Sequence, residues 1–199
     1  MNFPSLLAAS VFAIVSLVTP GPNNTMVLAS GVNFGMRRTL PHLAGICLGF
    51  GFMLVLVGLG LHSLFAMQPQ LLEGMRYIGA AYMAWLAWKL ASSRSAPGGA
   101  IASARPLGFW GAAAFQWINP KGWVMAMTAV TGYLPPNASL DQVLLLGSLF
   151  ALLGVPCVGV WIAFGSGMRS YLQHPLHLRV FNGTMALALL ASLIPLLRP

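Results

Sequence analysis

At 199 residues, with 58% hydrophobic and only 6% charged side chains and a mean hydropathy of +0.81, the chain is too apolar for a soluble domain, where about a quarter of residues are charged. Its formal charge of +8 does not point to nucleic acid, because the ten Lys and Arg are scattered at the ends of apolar runs rather than clustered, as topogenic charges are. The two cysteines, Cys47 and Cys157, both fall inside apolar runs and do not suggest a disulfide framework.

Apolar runs at about 5–31, 41–66, 71–91, 107–132, 143–166 and 178–197 predict six transmembrane helices, each near the ~20 residues a bilayer requires. The first has no Lys or Arg before Arg37, so it lacks the basic start of a signal peptide and reads as a retained span. Turn and charge signals separate the runs: Arg37-Arg38 before Pro41, Gln68-Pro69-Gln70, the Ser/Gly/Pro-rich stretch 92–106, Pro135-Pro136-Asn137 and His174-Pro175. The stretch 92–106 is the one linker, dividing a single domain, 1–199, into repeat one (about 1–91) and repeat two (about 107–199). Three spans per half make the second half enter the membrane inverted. The expected fold class is an all-α membrane protein, its six transmembrane helices forming two inverted three-helix repeats with helices 1 and 4 broken.

Orientation follows from charge. Arg37, Arg38, Lys89, Arg94, Arg105, Arg169 and Arg179 gather on one side, seven in all, against Arg76 and Arg198 on the other, together with both acids, Glu73 and Asp141. The positive-inside rule places the first side in the cytoplasm and both termini outside.

Spans 1 and 4 are interrupted by Thr19-Pro20-Gly21-Pro22-Asn23-Asn24 and by Asn119-Pro120-Lys121-Gly122, with Pro120 one hundred positions after Pro20. Proline removes a backbone donor and frees a carbonyl one turn back, which is costly in lipid. Paired interruptions at matching places in two halves point to a transporter's substrate site. Pro20 lies about 15 residues, or ~22 Å, into its span and Asn119 about 12 residues, or ~18 Å, into its own, so both breaks fall near mid-membrane. Asn119-Pro120 reads as a helix start, with Asn at the N-cap and Pro at the first position, and Pro22-Asn23-Asn24 can open a half-helix after Gly21. Such starts expose N–H groups and a partial positive charge that attract anions. Lys121 adds a full charge that is expensive at mid-membrane and is therefore a functional candidate. Freed carbonyls around Ser16 to Val18 and near Phe115 and Gln116, Asn and Gln oxygens, and the faces of Trp117 and Trp123 offer a place for an ammonium. The candidate substrate-binding residues are Pro20, Gly21, Pro22, Asn23, Asn24, Gln116, Asn119, Pro120 and Lys121, for a free amino acid; the reading needs no catalytic residue, cofactor or metal. The bland alternative is that the prolines only kink packed helices.

Other features read as structure. Gly45/Gly49 and Gly31/Gly35 are small-xxx-small pairs suited to close helix packing. His42 and His62 lie near the ends of span 2 and read as interfacial hydrogen-bonding groups. Glu73 and Asp141 read as solvated surface acids, and Tyr82, Trp85 and Trp88 as an aromatic belt.

Thr19-Pro20-Gly21-Pro22-Asn23, Gly79-Ala80-Ala81-Tyr82 before Lys89, and Asn119-Pro120-Lys121 together resemble the LysE/RhtB amino-acid exporters, in order and over nearly the whole chain. Asn24, the stretch from Leu43 to Phe50, and Trp85-Leu86-Ala87-Trp88-Lys89 are most similar to the branch that exports cysteine and O-acetylserine. The resemblance implies six spans, a bacterial inner membrane, and efflux of small amino acids, including cysteine, O-acetylserine or threonine and homoserine relatives, driven by protons or the membrane potential. It leaves a homo-oligomer and the coupling residue open.

Two rivals belong to other classes. A membrane thiol-redox carrier would use the cysteines, but Cys47 plus one hundred is Gly147 and Cys157 minus one hundred is Val57, so the thiols are not repeat-equivalent. A cadmium-type exporter would want thiolate or carboxylate ligands, and neither break contains any.

Overall fold

The computed structural model describes residues 2–61, 69–92 and 106–194. Most of the 92–106 linker, with His62, Arg94, Arg105, Arg198 and the side chain of Arg76, lies outside them. All regular structure among the described residues is helical: α1 (Phe3–Val18), α2 (Pro22–Leu56) running into a π-turn (Val57–Leu61), α3 (Pro69–Ser92), α4 (Phe109–Phe115) with a 3-10 turn (Gln116–Ile118), α5 (Pro120–Tyr133), α6 (Leu140–Met168), a second 3-10 turn (Tyr171–Gln173) and α7 (Pro175–Ala191).

Each helix is apolar on both of its faces. In α1, Ala9, Ala13 and Leu17 are buried one turn apart, yet Leu7, Val11, Ile14, Val15 and Val18 on the remaining surface are exposed. In α6, exposed Leu144, Leu152, Val155, Val160 and Phe164 oppose buried Leu146, Phe150, Val158 and Ile162. Water would penalise such surfaces and hydrocarbon does not. Two segments, Pro22–Leu61 and Leu140–Met168, are long and apolar enough to cross a bilayer. The protein is an all-helical membrane protein.

The first of these segments does not run straight through. Ser30 Oγ lies 3.4 Å from His42 Nδ1, whereas twelve residues of continuous helix would separate them by about 18 Å. The chain therefore folds back within α2, and it does so at Gly35, whose φ of +78° favours glycine. So Gly35 forms a turn rather than a packing contact, and His42 is buried at 2% exposure inside the hairpin, against Ser30. Glu73 and Asp141 are exposed, as expected, and Asp141 sits in the first turn of α6, where the helix start favours an anion.

Lipid gives apolar side chains no reason to leave it, so close packing has to hold the helices together, and small residues permit it. The second part of α2 lies antiparallel to α6: Cys47 meets Gly154, Gly51 meets Gly147, and Gly58 meets Val143. A Cβ on Gly45 would stand 2.2 Å from the Phe109 carbonyl oxygen and one on Gly49 2.6 Å from Ala113 Cα. These two glycines therefore do seat α4 against α2. Gly31 makes the same close approach to Ile162 in α6. Ala87 of α3 packs with Ala186 and Leu189 of α7. The largest core joins α1, α2, α5 and α6 through Ala13, Phe50, Ala126, Leu146 and Phe150, and it closes over the two helix breaks.

Candidate functional site

Both breaks are built alike. α1 ends at Val18 and α2 begins at Pro22 with Gly21 as N-cap; the 3-10 turn ends at Ile118 and α5 begins at Pro120 with Asn119 as N-cap. The first helical bonds follow the same pattern, Thr25 N–H to the Gly21 carbonyl at 2.9 Å and Trp123 N–H to the Asn119 carbonyl at 3.2 Å. Equivalent helix starts are thus 98 positions apart (120 − 22), not the hundred that pairs Pro20 with Pro120.

The second residue of each new helix reaches across to the other break. Asn23 and Gln116 exchange amide bonds, Asn23 Nδ2 to Gln116 Oε1 at 2.9 Å and Gln116 Nε2 to Asn23 Oδ1 at 3.2 Å. Gln116 is fully buried and also donates to the Ala112 carbonyl at 2.9 Å. In the mirror contact, Lys121 Nζ donates to the Thr19 carbonyl at 2.8 Å, to Thr19 Oγ1 at 2.9 Å and to the Pro20 carbonyl at 3.3 Å. The end of α1 carries partial negative charge, so the ammonium sits where a cation is favoured. Gly21 makes room for it. Its extended backbone (φ 179°) suits any residue, but a Cβ there would lie 2.8 Å from Lys121 Cδ.

This geometry corrects one expectation. The carbonyls released at the first break are occupied by the protein itself. Ser16 accepts from Thr19 Oγ1 and Leu17 from Asn24 Nδ2, each at 2.8 Å, and Val18 accepts from Trp161 Nε1 at 3.1 Å. Thr19 accepts a second bond, from Asn24 Nδ2, at 2.8 Å. Trp117 and Trp123 pack against each other. Their rings meet edge-on at 5.9 Å, and Trp123 Nε1 donates to the Trp117 carbonyl at 2.8 Å.

Between the breaks lies a cavity of about 30 Å³ lined by Ser16, Gly21, Asn23, Asn24, Asn119, Lys121 and Gly122 on its polar side. Its apolar wall includes Ile46, Phe50, Met125, Phe150 and Val158. Of the nine candidate residues, then, Gly21, Asn23, Asn24, Asn119 and Lys121 line the cavity. Pro22 and Pro120 are buried helix starts, Gln116 holds Asn23, and Pro20 contributes its carbonyl to Lys121. Three participants were not among those nine candidates. Thr19 anchors Lys121, Trp161 caps Val18, and Gly79 lets α3 touch the second break, where a Cβ would stand 2.1 Å from the Ile118 carbonyl oxygen. Cys47, which adjoins neither break in sequence, also lines the cavity. Among the described residues no cluster of three His, Cys, Asp or Glu side chains could hold a metal ion.

Interrupted helices meeting at a polar cavity inside an apolar bundle are the architecture of a solute transporter. Residues 14–195 match the LysE type translocator family. A cysteine/O-acetylserine efflux protein of Salmonella typhimurium (strain LT2) is 32% identical over 173 residues, which cover 86% of this chain and 88% of that one. The protein of the same name from Escherichia coli (strain K12) is 35% identical over 153 residues, 76% of this chain and 77% of that one. No solved structure matches the chain significantly. The chain belongs to the LysE translocator family, and it is a transporter rather than an enzyme.

Proposed function

We propose that the protein is a multi-pass secondary transporter of the bacterial inner membrane that exports small, mostly neutral amino acids. Cysteine and O-acetylserine, named for its relatives, are the first candidates. The observation that carries this reading is the meeting, in one cavity, of a cation, a helix start and amide groups: Lys121, the first turn of α5, Asn24 and Asn119. The N–H groups of Lys121 and Gly122, at the second and third helical positions, have no acceptor within their helix. With the Lys121 charge they suit a carboxylate. No acid is among the lining residues, so the extra cation of lysine or arginine would go unmatched. A soft metal would find there only the thiol of Cys47 and the thioether of Met125.

The cavity has room for about two waters, so it must widen to admit an amino acid. Protons or the membrane potential drive the cycle. Six spans in two inverted repeats fit the 98-residue offset of the helix starts, the fold-back at Gly35 and the antiparallel α2/α6 pair. With seven basic residues on one side, both termini are periplasmic and the loops near 32–40, 92–106 and 167–177 cytoplasmic.

The test is counterflow in proteoliposomes holding the purified protein, with labelled cysteine, O-acetylserine, threonine and lysine. Small neutral amino acids should exchange; equal or faster exchange of lysine would refute the proposal. For topology, an impermeant maleimide outside the cell should label a cysteine placed at Asn137 and spare one at Ser95, and the reverse pattern would overturn the orientation.

A further inference from the structure

If the cargo is an amino acid, as proposed above, its ammonium needs an acceptor, and the released carbonyls at the first break are already occupied. The amide oxygens of Asn23 and Gln116 accept from each other. The Trp117 carbonyl accepts from Trp123. One acceptor stands apart. Asn119 Oδ1 is the only buried side-chain polar atom without a hydrogen-bond partner among the described residues. Asn119 is 1% exposed, lines the cavity and occupies the N-cap of α5. An N-cap asparagine ordinarily accepts a bond from an N–H of the first helical turn; this one makes no such bond.

A buried acceptor left unpaired is a standing cost, unless a passing ligand supplies the donor. We propose that Asn119 Oδ1 receives the α-ammonium of the substrate while its carboxylate lies at the adjoining start of α5, on the N–H groups of Lys121 and Gly122 and beside the Lys121 charge. Acceptor and anion site stand at one helix start, Asn119 two positions before Lys121, a closeness that suits the one-carbon separation of ammonium and carboxylate in an α-amino acid. The neutral amide also lets the cargo go, since it holds an ammonium less strongly than a carboxylate would. It leaves the side chain of the cargo to face Ile46, Phe50 and Phe150, so small apolar or thiol groups are accepted.

The experiment measures inhibition of cysteine counterflow by L-cysteine, by 3-mercaptopropionate, which lacks the ammonium, and by cysteamine, which lacks the carboxylate. Wild-type protein should prefer L-cysteine to 3-mercaptopropionate by at least about ten-fold, the range of a hydrogen bond to a charged group. Asn119→Ala should weaken L-cysteine and cysteamine about ten-fold and leave 3-mercaptopropionate unchanged. Equal weakening of all three, or of none, would overturn the assignment. If Asn119→Ala does not insert, Asn119→Asp keeps the shape and should widen the preference for ammonium-bearing ligands; an unchanged or smaller preference overturns the assignment as well. Failure of the wild-type protein to exchange cysteine or O-acetylserine would instead sink the function proposed above, and this inference with it.

Discussion

Gly21→Ala isolates what the seat of Lys121 contributes. The backbone at Gly21 is extended, with φ 179° and ψ −179°, so alanine meets no conformational strain. Its Cβ would lie 2.8 Å from Lys121 Cδ, 3.2 Å from Nζ and 3.5 Å from Cε, and these are its three nearest atoms. All belong to the end of one flexible side chain, so the structure adjusts by moving the lysine rather than the helices. The ammonium then leaves the Thr19 and Pro20 oxygens that hold it at 2.8–3.3 Å. A hydrogen bond involving a charge is worth about 1.5–3 kcal/mol net, or roughly ten- to a hundred-fold in affinity. Against this, replacing glycine by alanine stiffens the unfolded chain and stabilises by about 0.4–1 kcal/mol. Transport should therefore fall ten-fold or more by counterflow while thermal stability in detergent shifts little. In a Lys121→Met background, where Nζ is absent, Gly21→Ala should add almost nothing, a non-additivity typical of residues in contact. Wild-type transport by Gly21→Ala, or an additive loss in the double variant, would show that the position of Lys121 does not matter.

Lys121→Met should insert and fold, because it removes a charge costly in the bilayer, yet lose transport by about ten- to a hundred-fold; Lys121→Arg should restore only part, since a planar fork replaces a compact ammonium. Wild-type counterflow by Lys121→Met would remove it from the site. Gly79→Ala, whose Cβ would lie 2.1 Å from a backbone oxygen, should lower the melting temperature by the equivalent of about 1–3 kcal/mol, whereas Gly167→Ala, with nothing within 4 Å, should not. Asn23→Leu or Gln116→Leu alone should destabilise by about 1–3 kcal/mol, because the first strands the buried Gln116 amide and the second the half-buried Asn23 amide. The Asn23→Leu, Gln116→Leu double variant should cost less than the sum, and additive melting shifts would show that the amides do not act as a pair.

The helices and their breaks were legible because local chemistry decides them. Proline at the first helical position needs no N–H bond, and both downstream helices begin at such a proline, Pro22 and Pro120. The spacing between the two breaks came out two residues long because Pro20, the more conspicuous first proline, is not the one that starts a helix. Gly35 was read as packing because a small-xxx-small spacing carries no information about φ; only the Ser30–His42 contact reveals the turn. Trp161 was invisible, since its partner Val18 lies 143 residues away and no local signal links them.

Lys121 is the instructive case, because its surroundings could have been inferred. It is the second residue of α5, where the partial charge of its own helix is positive and a cation is disfavoured. A lysine fixed at such a start has to reach for the negative end of another helix. The first break supplies one in α1, together with the Thr19 and Pro20 carbonyls. The lysine and the carbonyls thus answer each other, and neither remains open to the ammonium of the cargo. That transfers the burden of binding the ammonium to a neutral acceptor elsewhere in the cavity. Among the described residues the buried one without a partner is Asn119 Oδ1, two positions before the lysine that displaced the cargo from the carbonyls.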